Sequence, residues 1–246
     1  MPNRSLFKWI SLAIIIYTLS TIMNTTTSIS VAASNPSATN QQDAYQQKLF
    51  QTFDQLHTEQ VVLITAAHKN TIKGTLQIYT KQNGQWISQL SAIPVVLGKR
   101  GLGKTKEGDG KTPLGTYSLG TAFGTAPKPE GLQVDYQQHT AQDYWVDDVN
   151  AKEYNQKVTE SGDPNQRWAS YEKMNNPLYK YGMVVNYNIN PIVKGKGSAI
   201  FVHKWRSSNQ PTDGCIALSE ANLLKVLKAI DPAKSPKIRI GTVNAR

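Results

Sequence analysis

From Gln60 onward the chain runs QVVLITA, GTLQIYTK and WISQLSAIPVVLG, with Asn83-Gly84 between the last two. Such short runs of β-branched and aromatic residues, bounded by turn residues, read as strands, and Asn-Gly between two of them reads as a tight hairpin. LGTYSLG near Tyr117, YGMVVNYN near Val184, SAIFVH ending at His203 and PKIRIGT near the C-terminus add further strands. The clearest helix is SEANLLKVLKAI. Ser219 can cap it, Leu223, Leu224, Leu227 and Ile230 share a face, and Asp231-Pro232 ends it. A shorter amphipathic helix is predicted from Tyr45 to His57, with Leu49, Phe50, Phe53 and Leu56 apolar. The pattern predicts a mainly β domain with few helices, from about residue 58 to 243.

The N-terminus is of another kind. Arg4 and Lys8 precede an apolar stretch from Trp9 to Met23, and polar residues lead to VAAS, where Val31 and Ala33 fit a cut after Ala33. This is a secretory signal pattern over residues 1–33. The apolar run is short and diluted by Thr18, Ser20 and Thr21, which favours a signal over a spanning anchor. Residues 34–57 are expected to form a polar linker, Gln/Asn/Ser/Thr-rich to Gln47, and then the short helix. The expected location is the periplasm or cell envelope, with membrane contact only through an uncleaved signal.

Export gives the charge and the cysteine their meaning. The formal charge is +10; without residues 1–33 it is +8, 25 basic against 17 acidic residues. That favours an anionic partner or simply solubility. A nucleic-acid module would use the same charge, but the signal argues against it. Cys215 is the single cysteine. Outside the cytoplasm thiols usually pair, so a lone one is an intermolecular link, an inert buried side chain or a nucleophile.

Gly98–Thr105, GKRGLGKT, matches the phosphate-cradling loop G-x-x-x-x-G-K-[ST]. That loop works by starting a helix whose N-terminus faces phosphate. Here KEGDGKTPLG follows, and Gly108, Gly110 and Pro113 oppose a helix. No nucleotide is expected; the glycines and lysines instead shape a loop beside a binding groove. Between Phe123 and Asn176 charged, aromatic and turn residues mix, as in DYWVDDVNAKEYNQKV. This reads either as a lid or as a structural excursion packing Tyr144, Trp145 and Tyr154.

His203 ends a predicted strand, and Cys215 follows twelve positions later across Ser207, Ser208, Asn209, Pro211, Asp213 and Gly214. A strand, a loop and a return can bring the two together. Histidine is then the natural base for a thiol, and its proximity is expected to lower the thiol pKa. Gly214 lets backbone approach a substrate carbonyl, so the amides of Gly214 and Cys215 are candidate oxyanion donors. His57, His68 and His139 are weaker candidates for the base.

The segment HKWRSSNQPTDGCIALS resembles the active-site segment of the YkuD-type L,D-transpeptidases, a histidine followed by Ser/Thr-x-Gly-Cys. The resemblance extends to GKRGLGKTKEGDGKTPLGTYSLG, DYWVDDVNAKEYN and YGMVVNYN, and covers about residues 60 to 242. It implies a β-rich catalytic fold with mixed sheets over residues 58–243. It also implies a cysteine acylated by a peptidoglycan stem peptide, no cofactor, no metal, and acylation of the same sulfur by carbapenem β-lactams. By position, Cys215 matches the nucleophile, His203 the proton donor and acceptor, and Thr212 and Gly214 the small loop residues. Many members carry histidine where Asp213 stands, a longer gap between His and Cys, and Asn or Arg where Ala217 stands. The group orienting His203 is left open between a backbone carbonyl near Lys204 and the side chain of Asp213. Cross-linking, hydrolysis as an L,D-carboxypeptidase, and non-catalytic wall binding all remain open at this level.

Overall fold

The computed structural model describes residues 36–243. The signal reading of residues 1–33 lies outside them. Helix α1 spans Pro36–Asp54, so the segment read as linker is helical from Pro36, well before Tyr45. The strands are β1 (Gln60–Ala66), β2 (Lys73–Gln82), β3 (Gln85–Val96), β4 (Gly115–Gly124), β5 (Tyr136–Gln138), β6 (Asp143–Val146), β7 (Gln156–Thr159), β8 (Tyr171–Lys173), β9 (Gly182–Val185), β10 (Phe201–Lys204), β11 (Ile216–Leu218) and β12 (Lys237–Thr242). Helix α2 occupies Glu220–Ala229 between β11 and β12. No helix among the described residues is long and apolar enough to cross a membrane.

The main sheet runs β12-β1-β2-β3-β11-β10-β9-β4-β5 and closes on itself through a second pairing of β12 with β4. The fold is therefore mainly β and barrel-like, with parallel β1–β12, β10–β11 and β4–β5 pairs in an otherwise antiparallel sheet. Asn83 and Gly84 turn β2 into β3 with φ of 49° and 80°, the two left-handed residues that a two-residue hairpin requires.

Side-chain alternation explains what each strand buries. Val62 and Ile64 of β1 join the main core with Leu76, Ile78, Val95, Met183, Val202, Ile216, Leu218, Ile238 and Ile240. Val61 and Leu63 face the other way and pack with Phe53, Tyr79 and Trp86, with Leu49 and Phe50 of α1 against them. Strand β1 is buried on both faces because α1 covers the outer one. The α2 face is set by Leu223, Val226, Leu227 and Ile230; Leu224 is only half-buried and Val226 takes the core position. The Ser219 hydroxyl caps α2, accepting from the Asn222 amide at 3.4 Å.

The irregular region is a second sheet, β7-β6-β8. Tyr144 and Trp145 of β6 and Tyr154 beyond it are all buried, as the excursion reading expected. The same region also forms one wall of the site described next.

Candidate active site

Strand β10 alternates Phe201, Val202, His203. Val202 enters the main core, so Phe201 and His203 point to the outer face. Strand β11 lies parallel to it, pairing His203 with Ala217. Ile216 and Leu218 face the core, which leaves Cys215 and Ala217 on the outer face with His203. They line one cleft of about 240 Å³ together with Thr212 and Asp213 from the loop and Glu172, Tyr179 and Arg206. Thus β10 and β11 form the floor. Glu172 of β8 and the 3₁₀ turn Pro177–Tyr179 form the facing wall.

Cys215 is 8% exposed. Its Sγ donates to the Ala199 carbonyl at 3.3 Å and accepts from the Phe201 amide at 3.4 Å. Ala199 sits in the left-handed region at φ 53°, an uncommon place for a residue with a side chain. Asn155 holds that segment: its Oδ1 accepts from the Ala199 amide and from Trp145 Nε1, while its Nδ2 donates to the Tyr187 and Asn188 carbonyls. Burial pushes the Cys215 thiol well up, aided by the negative charges of Glu172 and Asp213 and opposed by the Phe201 amide and Lys104. This runs against the expectation of a lowered thiol pKa: burial outweighs the opposing influence of the Phe201 amide and Lys104.

His203 is 5% exposed. Its Nδ1 lies 2.8 Å from the Lys204 carbonyl oxygen. A carbonyl only accepts, so Nδ1 carries the proton and Nε2 is the bare, basic nitrogen. The orienting group is therefore the Lys204 backbone, and not Asp213. The Asp213 side chain is 86% exposed and pairs with Lys99 at 2.6 Å. Burial lowers the His203 pKa to about 4; the Lys204 hydrogen bond opposes this and nearby Arg206 adds to it. Tyr179 packs edge-on to the imidazole, with ring centroids 5.3 Å apart. The other histidines lie elsewhere: none of His57, His68 and His139 lines the cleft. His139 is buried and stacked on Phe123.

The loop before Cys215 is tied down by Thr212. Its hydroxyl donates to the Cys215 carbonyl at 2.7 Å and accepts from the Gly214 amide at 3.2 Å. The Gly214 amide thus points to Thr212 in the resting structure and not into the cleft. Gly214 has φ 148°, and a Cβ there would stand 3.0 Å from the Lys111 carbonyl oxygen. The positive φ favours glycine, and the tight contact adds to it.

That close approach gives the phosphate-loop look-alike its structural use. Gly98 bridges to Thr212, and a Cβ on Gly98 would meet the Gly110 carbonyl oxygen at 2.5 Å. Thr112 accepts from the Gly98 amide through its hydroxyl, and the same hydroxyl reaches the Cys215 carbonyl at 3.4 Å. The amides of Thr105, Lys106 and Lys111 converge on the Asp109 carboxylate, with the Lys104 ammonium at 3.2 Å. Amides that would hold phosphate in a nucleotide loop hold the chain's own carboxylate here. These hydrogen bonds hold the Asp109 carboxylate below its usual range, although burial works the other way.

Lys104 and Asp109 side chains are 3% and 6% exposed. Asp109→Ala is expected to destabilise the fold by about 3–5 kcal/mol, because it strands a buried ammonium and three amides. In thermal denaturation the midpoint should fall by roughly 10 °C. A shift of a degree or two would mean that the loop does not brace the fold.

Sequence reasoning missed Glu172 and Tyr179. Glu172 is the middle residue of a three-residue strand inside the irregular region, and no motif marks it. Tyr179 follows Asn176-Pro177, a turn signal that explains its position but not its contacts. Tyr179 donates its hydroxyl to Glu172 Oε2. Burial and the charges of Asp147, Asp213 and Glu107 raise the Glu172 carboxyl to about 7, against the Tyr179 hydrogen bond. Among the described residues no group of three or more His, Cys, Asp or Glu is placed to hold a metal ion.

The family model described as the L,D-transpeptidase catalytic domain, YkuD, matches residues 68–240. No curated protein sequence matches the chain. Among solved structures, the helical cell shape determining protein Pgp2 from Campylobacter jejuni is similar at 20% identity and a TM-score of 0.41. The alignment covers 75% of this chain and 48% of that one. Bd1075 from Bdellovibrio bacteriovorus is similar at 16% identity and a TM-score of 0.38, covering 76% of this chain and 48% of that one. The chain thus spans about half the length of these two proteins. The match of the family model over most of the described domain, cleft-lining strands included, places this chain in the YkuD family of L,D-transpeptidase catalytic domains.

Proposed function

We propose that the chain is an exported cysteine acyltransferase of peptidoglycan, with Cys215 as nucleophile and His203 as proton donor and acceptor. The observation that carries this reading is the shared cleft. A thiol and an imidazole on the same face of two paired strands line it, and the imidazole is fixed in the tautomer that leaves Nε2 free to take a proton.

In the proposed reaction, Nε2 of His203 takes the thiol proton as Sγ attacks the carbonyl before the terminal D-alanine of a tetrapeptide stem. The C–N bond breaks, and the proton passes from His203 to the leaving amine. A thioester remains on Cys215. An amine of a second stem then attacks the thioester, His203 takes its proton and returns it to the sulfur, and a cross-link has formed. Burial raises the thiol and lowers the imidazole, which favours the neutral pair, so deprotonation of the thiol is coupled to attack.

The test is incubation of the purified protein with defined tetrapeptide muropeptides and mass analysis of the products. A dimer formed with loss of one D-alanine supports acyl transfer to an amine. A tripeptide alone moves the assignment to an L,D-carboxypeptidase using water. Unchanged substrate removes the enzymatic reading and leaves wall binding.

A further inference from the structure

Glu172 is the one carboxylate that β8 contributes to the cleft wall, and the protein leaves it without a counter-ion. Among the described residues its single side-chain hydrogen bond is the one Tyr179 gives to Oε2, and Oε1 has no partner. Lys173 and Arg206 line the same cleft, yet among the described residues neither forms an ion pair with it. Its electrostatic neighbours are carboxylates: Asp147, Asp213 and Glu107. Of these, Asp213 is already matched by Lys99, and Glu107 accepts the Tyr154 and Ser198 hydroxyls. A partly buried carboxylate in the wall of the nucleophile's cleft, bonded on one oxygen and with no cation on it, is placed to accept a cationic group.

We propose that Glu172, held in place by Tyr179, is the receptor for an ammonium group on the acyl donor, the free side-chain amine of the residue whose carbonyl Cys215 attacks. The inference rests on the acyl-transfer reading above and adds to it a residue that selects the substrate. The fit is chemical. An ammonium donates up to three hydrogen bonds, Oε1 is free to accept, and the pair that forms is charge-assisted. The pair would also act on the nucleophile. The Glu172 charge is one of the influences that hold the Cys215 thiol up, so a bound ammonium would ease deprotonation only when the right substrate is present.

The experiment measures binding in the Cys215→Ala background, where nothing turns over. Two defined stem tetrapeptides are compared, identical except that the side-chain amine is free in one and N-acetylated in the other. The free-amine peptide should bind about tenfold tighter or more, and Glu172→Gln on the same background should remove that preference while leaving the weaker binding of the acetylated peptide unchanged. Glu172→Asp, which keeps the charge on a shorter arm, should keep part of the preference. A preference that survives Glu172→Gln in a variant with an unchanged thermal midpoint overturns the inference, and so does equal binding of the two peptides by the parent. Binding of neither peptide overturns both this inference and the proposed function. If the preference holds but the wild type yields no product, the acyl-transfer reading falls and the ammonium site stands.

Discussion

Cys215→Ala is expected to lower turnover of any stem peptide by about four to six orders of magnitude, with little loss of substrate binding. The expectation is this large because the chain has no second thiol to take over. Any thioester intermediate must therefore form at residue 215. Intact-mass spectrometry after treatment with a carbapenem should show one adduct on the wild type and none on Cys215→Ala. Cys215→Ser should also stay unmodified, because a hydroxyl is a much weaker nucleophile in the same place. A simple alkylating agent should behave differently from an acylating one. It receives no proton transfer designed around it, so alkylation should be slow at pH 7 and speed up as the pH rises, following the raised thiol pKa. Undiminished product formation by Cys215→Ala would end the enzymatic assignment of this cleft.

His203→Ala should lower kcat by about 10²–10⁴ and leave KM nearly unchanged, the signature of a group that works in the transition state. Its pH behaviour is equally specific. Burial holds the imidazole at about 4, below the ordinary value of 6.5, so it is neutral and basic across the whole range above roughly pH 5. The acid limb of kcat/KM should therefore lie near pH 4, with no inflection at 6.5. The same depression has a stability consequence. The unfolded chain binds a proton on this residue below about 6.5 while the folded chain does not until about 4, so this group's contribution is lost as the pH falls through that window. A kinetic inflection near 6.5 that disappears in His203→Ala would show that the imidazole works in a wetter setting than the resting cleft.

The fold was legible where local chemistry dictates it. Short runs of β-branched and aromatic residues marked β1 to β3, Asn83-Gly84 marked the hairpin, and Ser219 with Leu223 and Leu227 marked α2. Cys215 and His203 were legible as a pair because both side chains are chemically distinctive and the loop between them is rich in turn residues. What was not legible depends on contacts distant in sequence. Strand β11 is three residues long and exists because Ala217 pairs with Val96 and His203. Strands β6 to β8 are only three or four residues long, so neither periodicity develops within any one of them. The thiol pKa was misjudged for a related reason. Proximity of a base can be inferred from a motif, whereas burial to 8% exposure is a property of the assembled sheets. Glu172 escaped notice because a carboxylate without a partner is recognised only when its surroundings are known.

The double pairing of β12 sets the order in which this protein can be made. Val61 of β1 lies beside Lys237 of β12, and β4 completes its hydrogen bonding on the other side of the same strand. At synthesis rates of about 5–20 residues per second, β1 leaves the ribosome on the order of ten seconds or more before its neighbour exists. Over that interval β1 and β4 each carry an open edge, the kind of surface that recruits strands from other chains. Ring closure is thus the last event and a slow one, since it joins segments far apart in the chain. The same delay leaves the nascent polypeptide without its closed sheet until the last strand has been made.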